Sequence, residues 1–151
     1  MIKVMFVCHG NICRSPMGEF ILTDMVRKRG IADEFHIESC ATSTEEIGNS
    51  IYPPAKRELE KHGIAMYPHT AVQLRKSDYD KYDLFLCMDS MNIRNAMRIL
   101  GSDPQNKLRR LLNDRDVSDP WYTNRFDVAY NDIYKGCTEL LDSLSAKGNK
   151  F

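Results

Sequence analysis

Apolar residues in this chain fall into short continuous runs separated by longer amphipathic stretches. Ile2-Lys3-Val4-Met5-Phe6-Val7-Cys8 is almost unbroken and rich in β-formers, which predicts a buried strand. His36-Ile37-Glu38-Ser39 predicts a second strand, Leu84-Phe85-Leu86-Cys87-Met88 a third, and Lys107 to Leu112 the last. A helix is expected from Ser15 to Arg29, with Pro16 in its first turn, where a missing N–H costs nothing. Phe20, Ile21, Met25 and Val26 line one face of it, and Gly30 closes it. Pro53 and Pro54 open a second helix that ends near His62-Gly63, and Asp89 or Ser90 caps a third that runs to Leu100. The last helix spans Phe126 to Leu144. Thr42 to Asn49 is a polar loop, and Asp119-Pro120-Trp121-Tyr122 is placed in another. Strands alternating with helices predict an α/β fold, a parallel sheet covered by helices on both faces. No repeat or composition break divides residues 1–151, which read as one domain with a frayed tail from Ala146 to Phe151.

Charge removes several partners. The chain has 21 basic and 21 acidic residues and no net charge, so nothing in the balance calls for nucleic acid or an anionic membrane. No apolar run is long enough to span a bilayer, and the run up to Cys8 is too short for a leader. Five cysteines without paired spacing argue against a disulfide framework and suit a reducing, cytoplasmic setting.

Chemistry concentrates in the first loop. Cys8-His9-Gly10-Asn11-Ile12-Cys13-Arg14-Ser15 joins a strand end to a helix start. In a parallel α/β sheet, ligands bind beyond the carboxyl ends of the strands. A helix start offers unpaired N–H groups and partial positive charge. Gly10 permits a tight nest of inward amides, and Asn11 tolerates a left-handed backbone. Five intervening residues bring Arg14 back over Cys8, where a guanidinium grips a phosphoryl group through paired hydrogen bonds. The same field favours a thiolate, to which Ser15 can donate. The loop therefore reads as an oxyanion cradle with a nucleophile at its base. A buried cysteine beside an unrelated arginine is the plainer alternative. Asp119, stiffened by Pro120 and followed by Trp121 and Tyr122, is the candidate proton donor, with the two rings as a wall for a flat substrate. Asp-Pro alone is an ordinary turn.

With these motifs in view, the sequence resembles the low-molecular-weight protein tyrosine phosphatases. The resemblance rests on Val7 to Met17, Ser39-Cys40-Ala41-Thr42-Ser43, Glu46-Ile47-Gly48-Asn49, His62-Gly63-Ile64, Cys87-Met88-Asp89 and Asp119-Pro120-Trp121-Tyr122, in family order. It implies a four-stranded parallel sheet in a single-domain, three-layer sandwich of flavodoxin/Rossmann-like kind. It implies Cys8 as nucleophile, Arg14 as phosphate binder and Asp119 as general acid and then base. It also implies that Ser15 supports the thiolate, that Asn11 is held partly through Ser39, and that Cys13 forms a reversible protective disulfide with Cys8. Tyrosine-phosphorylated proteins or aryl phosphates would be the substrates, and phosphate, sulfate or vanadate the active-site anions. No cofactor or metal is implied, and the expected state is a monomer or weak dimer.

The chain departs from the family pattern in places. Glu45, beside Glu46, stands where an aromatic residue is common, making one rim of the cleft acidic. Trp121 replaces a tyrosine, Gly18 an alanine and Val72 an arginine.

Rival readings on the same fold are a thioredoxin-coupled arsenate reductase and a protein arginine phosphatase. The first lacks a further cysteine between Cys87 and Cys137, and the second usually has threonine where Ile12 stands. A Cys8/Cys13 redox-sensing phosphate binder is the non-enzymatic alternative. A zinc site lacks a second ligand pair at workable spacing. His62 and His69 are expected to make structural hydrogen bonds, and Cys40, Cys87 and Cys137 to fill core.

Overall fold

The computed structural model describes residues 1–148. Strands β1 (Ile2–Cys8), β2 (Phe35–Ala41), β3 (Leu84–Cys87) and β4 (Leu108–Arg110) form one sheet in the order β2-β1-β3-β4, all neighbours parallel. Helices are α1 (Arg14–Lys28), α2 (Pro53–Lys61), α3 (Ser90–Leu100), α4 (Pro120–Thr123) and α5 (Phe126–Ala146). The chain leaves β1 toward β2 on one side and reaches β3 on the other. The carboxyl end of β1 therefore opens at the switch point, where open α/β sheets hold their ligands.

The apolar run of β1 follows from burial on both faces. Val4, Phe6 and Cys8 face a core shared with α1, α2 and α5. Met5 and Val7 face a second core with Phe85, Cys87, Ala96 and Leu100, beneath α3. Each fully buried apolar side chain of this kind contributes about 1.5–3 kcal/mol. β2 is longer than the sequence suggests: its last residues Cys40 and Ala41 are buried and pair with Val7 and Cys8. β4 is shorter, because only Leu108 to Arg110 pair with β3.

Helix ends obey local rules. Gly30, with φ 73°, closes α1, and Gly101, with φ 85°, closes α3. Pro53 and Pro54 open α2. Gly18 has a packing reason. A Cβ there would lie 2.6 Å from the Phe6 ring, which is fully buried and has nowhere to move. The space an alanine methyl would need is filled by Phe6.

Two expectations change. Asp119 to Tyr122 is not a plain loop, since Pro120 starts the short helix α4 with Asp119 as its N-cap. α5 runs past the expected end at Leu144 to Ala146, and Lys147 and Gly148 form a turn. The remainder of the expected tail, 149–151, lies outside the described residues.

Candidate active site

The loop after β1 wraps around the Cys8 sulfur. The N–H groups of Asn11 and Ser15 donate to Sγ at 3.3 and 3.4 Å, and the Ser15 hydroxyl lies 2.9 Å away. Asn11 makes the turn possible by adopting φ 60°, a left-handed conformation that costs a non-glycine residue strain. The strain is offset by bonds to every polar part of the residue. Val72 N–H donates to Asn11 Oδ1 at 3.1 Å, which fixes the amide orientation. Nδ2 then donates to Ser15 Oγ at 2.8 Å and Ser39 Oγ at 2.9 Å. His69 Nε2–H donates to the Asn11 carbonyl at 2.8 Å, a structural role as expected. Among the described residues, the backbone N–H groups of Gly10, Ile12, Cys13 and Arg14 have no protein acceptor. Open amides at the start of a 15-residue helix suit an anion.

Arg14 begins α1 and is only 2% exposed. Its Nη1 donates to Asp89 Oδ2 at 2.8 Å and to the Val117 carbonyl at 2.7 Å. Its Nη2 is 3.4 Å from Asp119 Oδ2. Burial works against the guanidinium charge, but Cys8, Asp119 and Asp89 outweigh it and raise the pKa, leaving a permanent cation. Asp89 serves two elements at once. Its Oδ1 caps α3 through Asn92 N–H at 2.7 Å while Oδ2 holds Arg14. The sequence showed Asp89 as a cap and as the end of a matching motif but not as a partner of Arg14, and Val117 gave no signal, since a backbone carbonyl leaves none.

Asp119 is fixed by its own turn, accepting from Trp121 N–H at 3.1 Å through Oδ1. Together these groups line a cleft of about 330 Å³ with Cys8, Arg14 and Cys13 at its base. Asp119, Trp121 and Tyr122 form one wall, and His9, Glu45 and Glu46 the other, with Gly10 and Ile12 between. Asn11, Ser15 and Ser39 lie beneath the floor and reach the cleft only through their bonds to the loop. Trp121 is braced by Tyr52, whose ring centroid is 4.9 Å away, a contact the sequence did not reveal. Tyr122 is 82% exposed and free to meet a ligand. Glu45 Oε2 pairs with His9 Nε2 at 2.7 Å, and Glu46 accepts from Asn49 at 2.6 Å.

The cleft brings open loop amides and a buried guanidinium together beside the Cys8 sulfur. Residues 3–150 match the family described as low molecular weight phosphotyrosine protein phosphatase. The chain belongs to that family. A Bacillus subtilis relative, low molecular weight protein-tyrosine-phosphatase YfkJ, is 35% identical over 95% of this chain and 96% of its own. The Rattus norvegicus low molecular weight phosphotyrosine protein phosphatase is 37% identical, covering 93% of this chain and 94% of its own. The crystal structure of YfkJ superposes with a TM-score of 0.93 over 99% of this chain and 98% of that one, at 34% identity. The Streptococcus pyogenes low molecular weight protein tyrosine phosphatase gives 0.89 at 36% identity, over 95% and 93%. The four-stranded parallel sheet and single-domain architecture are those of the family.

All five cysteines of this phosphatase are buried free thiols. Burial raises Cys13 to about 12, with Cys8 and Asp119 adding to the effect. Burial likewise raises Cys87 to about 12. Cys13 lines the cleft, whereas Cys87 is fully buried outside its lining, which does not suit a thiol relay.

Proposed function

We propose that this protein hydrolyses phosphotyrosine in proteins, and small aryl phosphates, through a phosphocysteine intermediate. The observation that carries this reading is the convergence of hydrogen-bond donors on Cys8 Sγ at the base of a cleft that also holds Arg14 and Asp119. The phosphate dianion sits on the open loop amides and on the Arg14 edge left free by Asp89 and Val117. Cys8 Sγ attacks phosphorus as the P–O bond to the ring breaks. Asp119 gives its proton to the departing phenolate oxygen. In the second step Asp119, now a carboxylate, takes a proton from water as that oxygen attacks phosphorus. The S–P bond breaks, the Ser15 hydroxyl donates to the departing sulfur, and phosphate leaves. Trp121 and Tyr122 hold the ring of the substrate. After oxidation of Cys8 by peroxide, the Cys13 thiol traps the sulfenic acid as a disulfide, releasing water. Free thiols suit the cytoplasm, and no helix among the described residues is long and apolar enough to cross a membrane.

Initial rates on phosphotyrosine, phosphoserine and phosphoarginine peptides, and on arsenate with thioredoxin, test the reading. Phosphotyrosine is expected to lead in kcat/KM by roughly 100-fold, because a phenol leaves better than the serine hydroxyl and its ring, unlike the other substrates, meets the aromatic wall. Comparable turnover of phosphoserine, phosphoarginine or arsenate would replace the proposed reaction.

The acidic wall gives a second expectation. Glu45 and Glu46 face the cleft on a chain without net charge. Phosphotyrosine peptides flanked by lysine should be cleaved about three- to tenfold better than those flanked by glutamate, in proportion to exposed ion pairs of 0.2–1 kcal/mol each. The preference should shrink when salt is raised from 0.01 to about 1 M. Equal kcat/KM for both peptides at low salt removes the two glutamates from selectivity.

A further inference from the structure

The hydrogen-bond relay beneath the nucleophile continues past the groups that hydrolysis uses and ends on a buried carboxylate. Glu19, on α1, is 7% exposed. Two hydroxyls hold it: Ser39 Oγ donates to Oε1 at 2.6 Å and Tyr67 Oη to Oε2 at 2.5 Å. Tyr67 is fixed from the other side by edge-to-face packing on Phe20, with centroids 4.7 Å apart. Burial and the neighbouring Glu19 raise the phenol's pKa, so it stays a donor.

The direction of the relay follows from its ends. Val72 N–H meets Asn11 Oδ1, so Asn11 Nδ2 must donate to both serines. Each serine, having accepted one hydrogen, sends its own elsewhere. Ser15 sends it to Cys8 Sγ at 2.9 Å, with the Cys40 carbonyl a longer alternative at 3.4 Å. Ser39 sends it to Glu19. If Glu19 could not accept, Ser39 would hold a buried proton without a partner and would turn to find one. That turn would release one of the bonds that keep Asn11 in its left-handed conformation.

We propose that Glu19 and Tyr67 are positioning residues for the nucleophile: the pair terminates the relay, keeps Ser39 an acceptor toward Asn11, and so keeps the Asn11 N–H and Ser15 hydroxyl aimed at the Cys8 sulfur. The inference rests on the phosphocysteine reading. Neither residue touches substrate, and neither lines the catalytic cleft.

The test uses Glu19→Leu, Glu19→Gln and Tyr67→Phe in the full chain. Each is measured for kcat, KM, the burst of 4-nitrophenol from 4-nitrophenyl phosphate, phosphate binding and Tm. Acid-quenched phosphoprotein in the unmodified enzyme is measured first. Its absence overturns the phosphocysteine reading and with it the inference. Given the intermediate, Glu19→Leu is expected to lower kcat about 10–100-fold through misalignment. The slow step should be the second, where sulfur departs, so KM falls with kcat and a burst near one equivalent precedes the steady state. Glu19→Gln should stay within about threefold of the unmodified rate, because its oxygen accepts from Ser39 and its N–H₂ donates to the Tyr67 oxygen. Tyr67→Phe should cost about threefold in kcat with phosphate binding kept.

A Glu19→Leu protein with unchanged kcat and no burst overturns the inference. So does a Glu19→Gln protein as slow as Glu19→Leu, which would assign the effect to charge. A loss of kcat that only follows loss of phosphate binding and Tm makes the residues structural and also overturns it. If Glu19→Leu does not fold, Tyr67→Phe decides, and an unchanged kcat there ends the proposal.

Discussion

Cys8→Ser is expected to bind phosphate and release no phenol. The serine hydroxyl occupies the place of the sulfur but is not ionised near neutral pH, and it cannot form the phosphocysteine. The open amides and Arg14 are untouched, since Arg14 is held by Asp89 and Val117 and not by Cys8. Turnover of 4-nitrophenyl phosphate should fall on the order of 10⁴-fold or more, in line with losses of nucleophiles in other covalent enzymes. Phosphate or vanadate binding, followed by calorimetry, should persist, because the amides and the guanidinium that seat the anion are unchanged. Near-normal turnover would take the nucleophile's role from Cys8. Lost anion binding with lost turnover would mean that the loop depends on the sulfur for its shape.

Asp119→Ala should act on the other end of the scissile bond. Without a proton donor the ring oxygen leaves as phenolate, and its own acidity must carry the step. We expect kcat to drop about 10²–10⁴-fold. The loss should be smallest for 4-nitrophenol and largest for unactivated phenols, so the rate depends more steeply on leaving-group pKa than in the unmodified enzyme. The folded state should be little affected, because Asp119 caps only a 4-residue helix and lies at 3.4 Å from an Arg14 nitrogen. A kcat series across substituted phenyl phosphates checks this. An unaltered slope excludes Asp119 as the acid.

What could be read from the chain depended on how far apart the interacting residues lie. The cradle around Cys8 is local: nucleophile, turn residues and Arg14 fall within one loop, and its strand–loop–helix setting was visible from the apolar run before it and the periodic face after it. Partners of Arg14 come from much further away, with Asp89, Val117 and Asp119 at separations of 75, 103 and 105 residues. Asp89 carried a signal for capping α3 that hid its second task. Glu19 looked like one polar position on α1, and nothing in its neighbourhood pointed to Tyr67, 48 residues on. Trp121 and Tyr122 were visible as a pair, but not their division of labour, which needs Tyr52 behind one ring and solvent around the other. β4 is shorter than the Lys107 to Leu112 segment suggests because Leu111 and Leu112 follow Leu108 as apolar positions, whereas pairing on a sheet edge ends where the neighbouring strand ends. Gly18 showed as a departure from the family, and only the Phe6 ring explains it.

Arg14 is held in position before any ligand arrives, with both Nη1 bonds spent on Asp89 and the Val117 carbonyl. In the proposed reaction, the remaining edge of the guanidinium and the loop amides recognise a tetrahedral dianion by shape and charge, and neither reads what is attached to it. Free inorganic phosphate satisfies them as well as a phosphorylated ring does. The proposed reaction therefore carries its own brake: turnover is expected to slow as the liberated anion accumulates and competes for the seat it has just left.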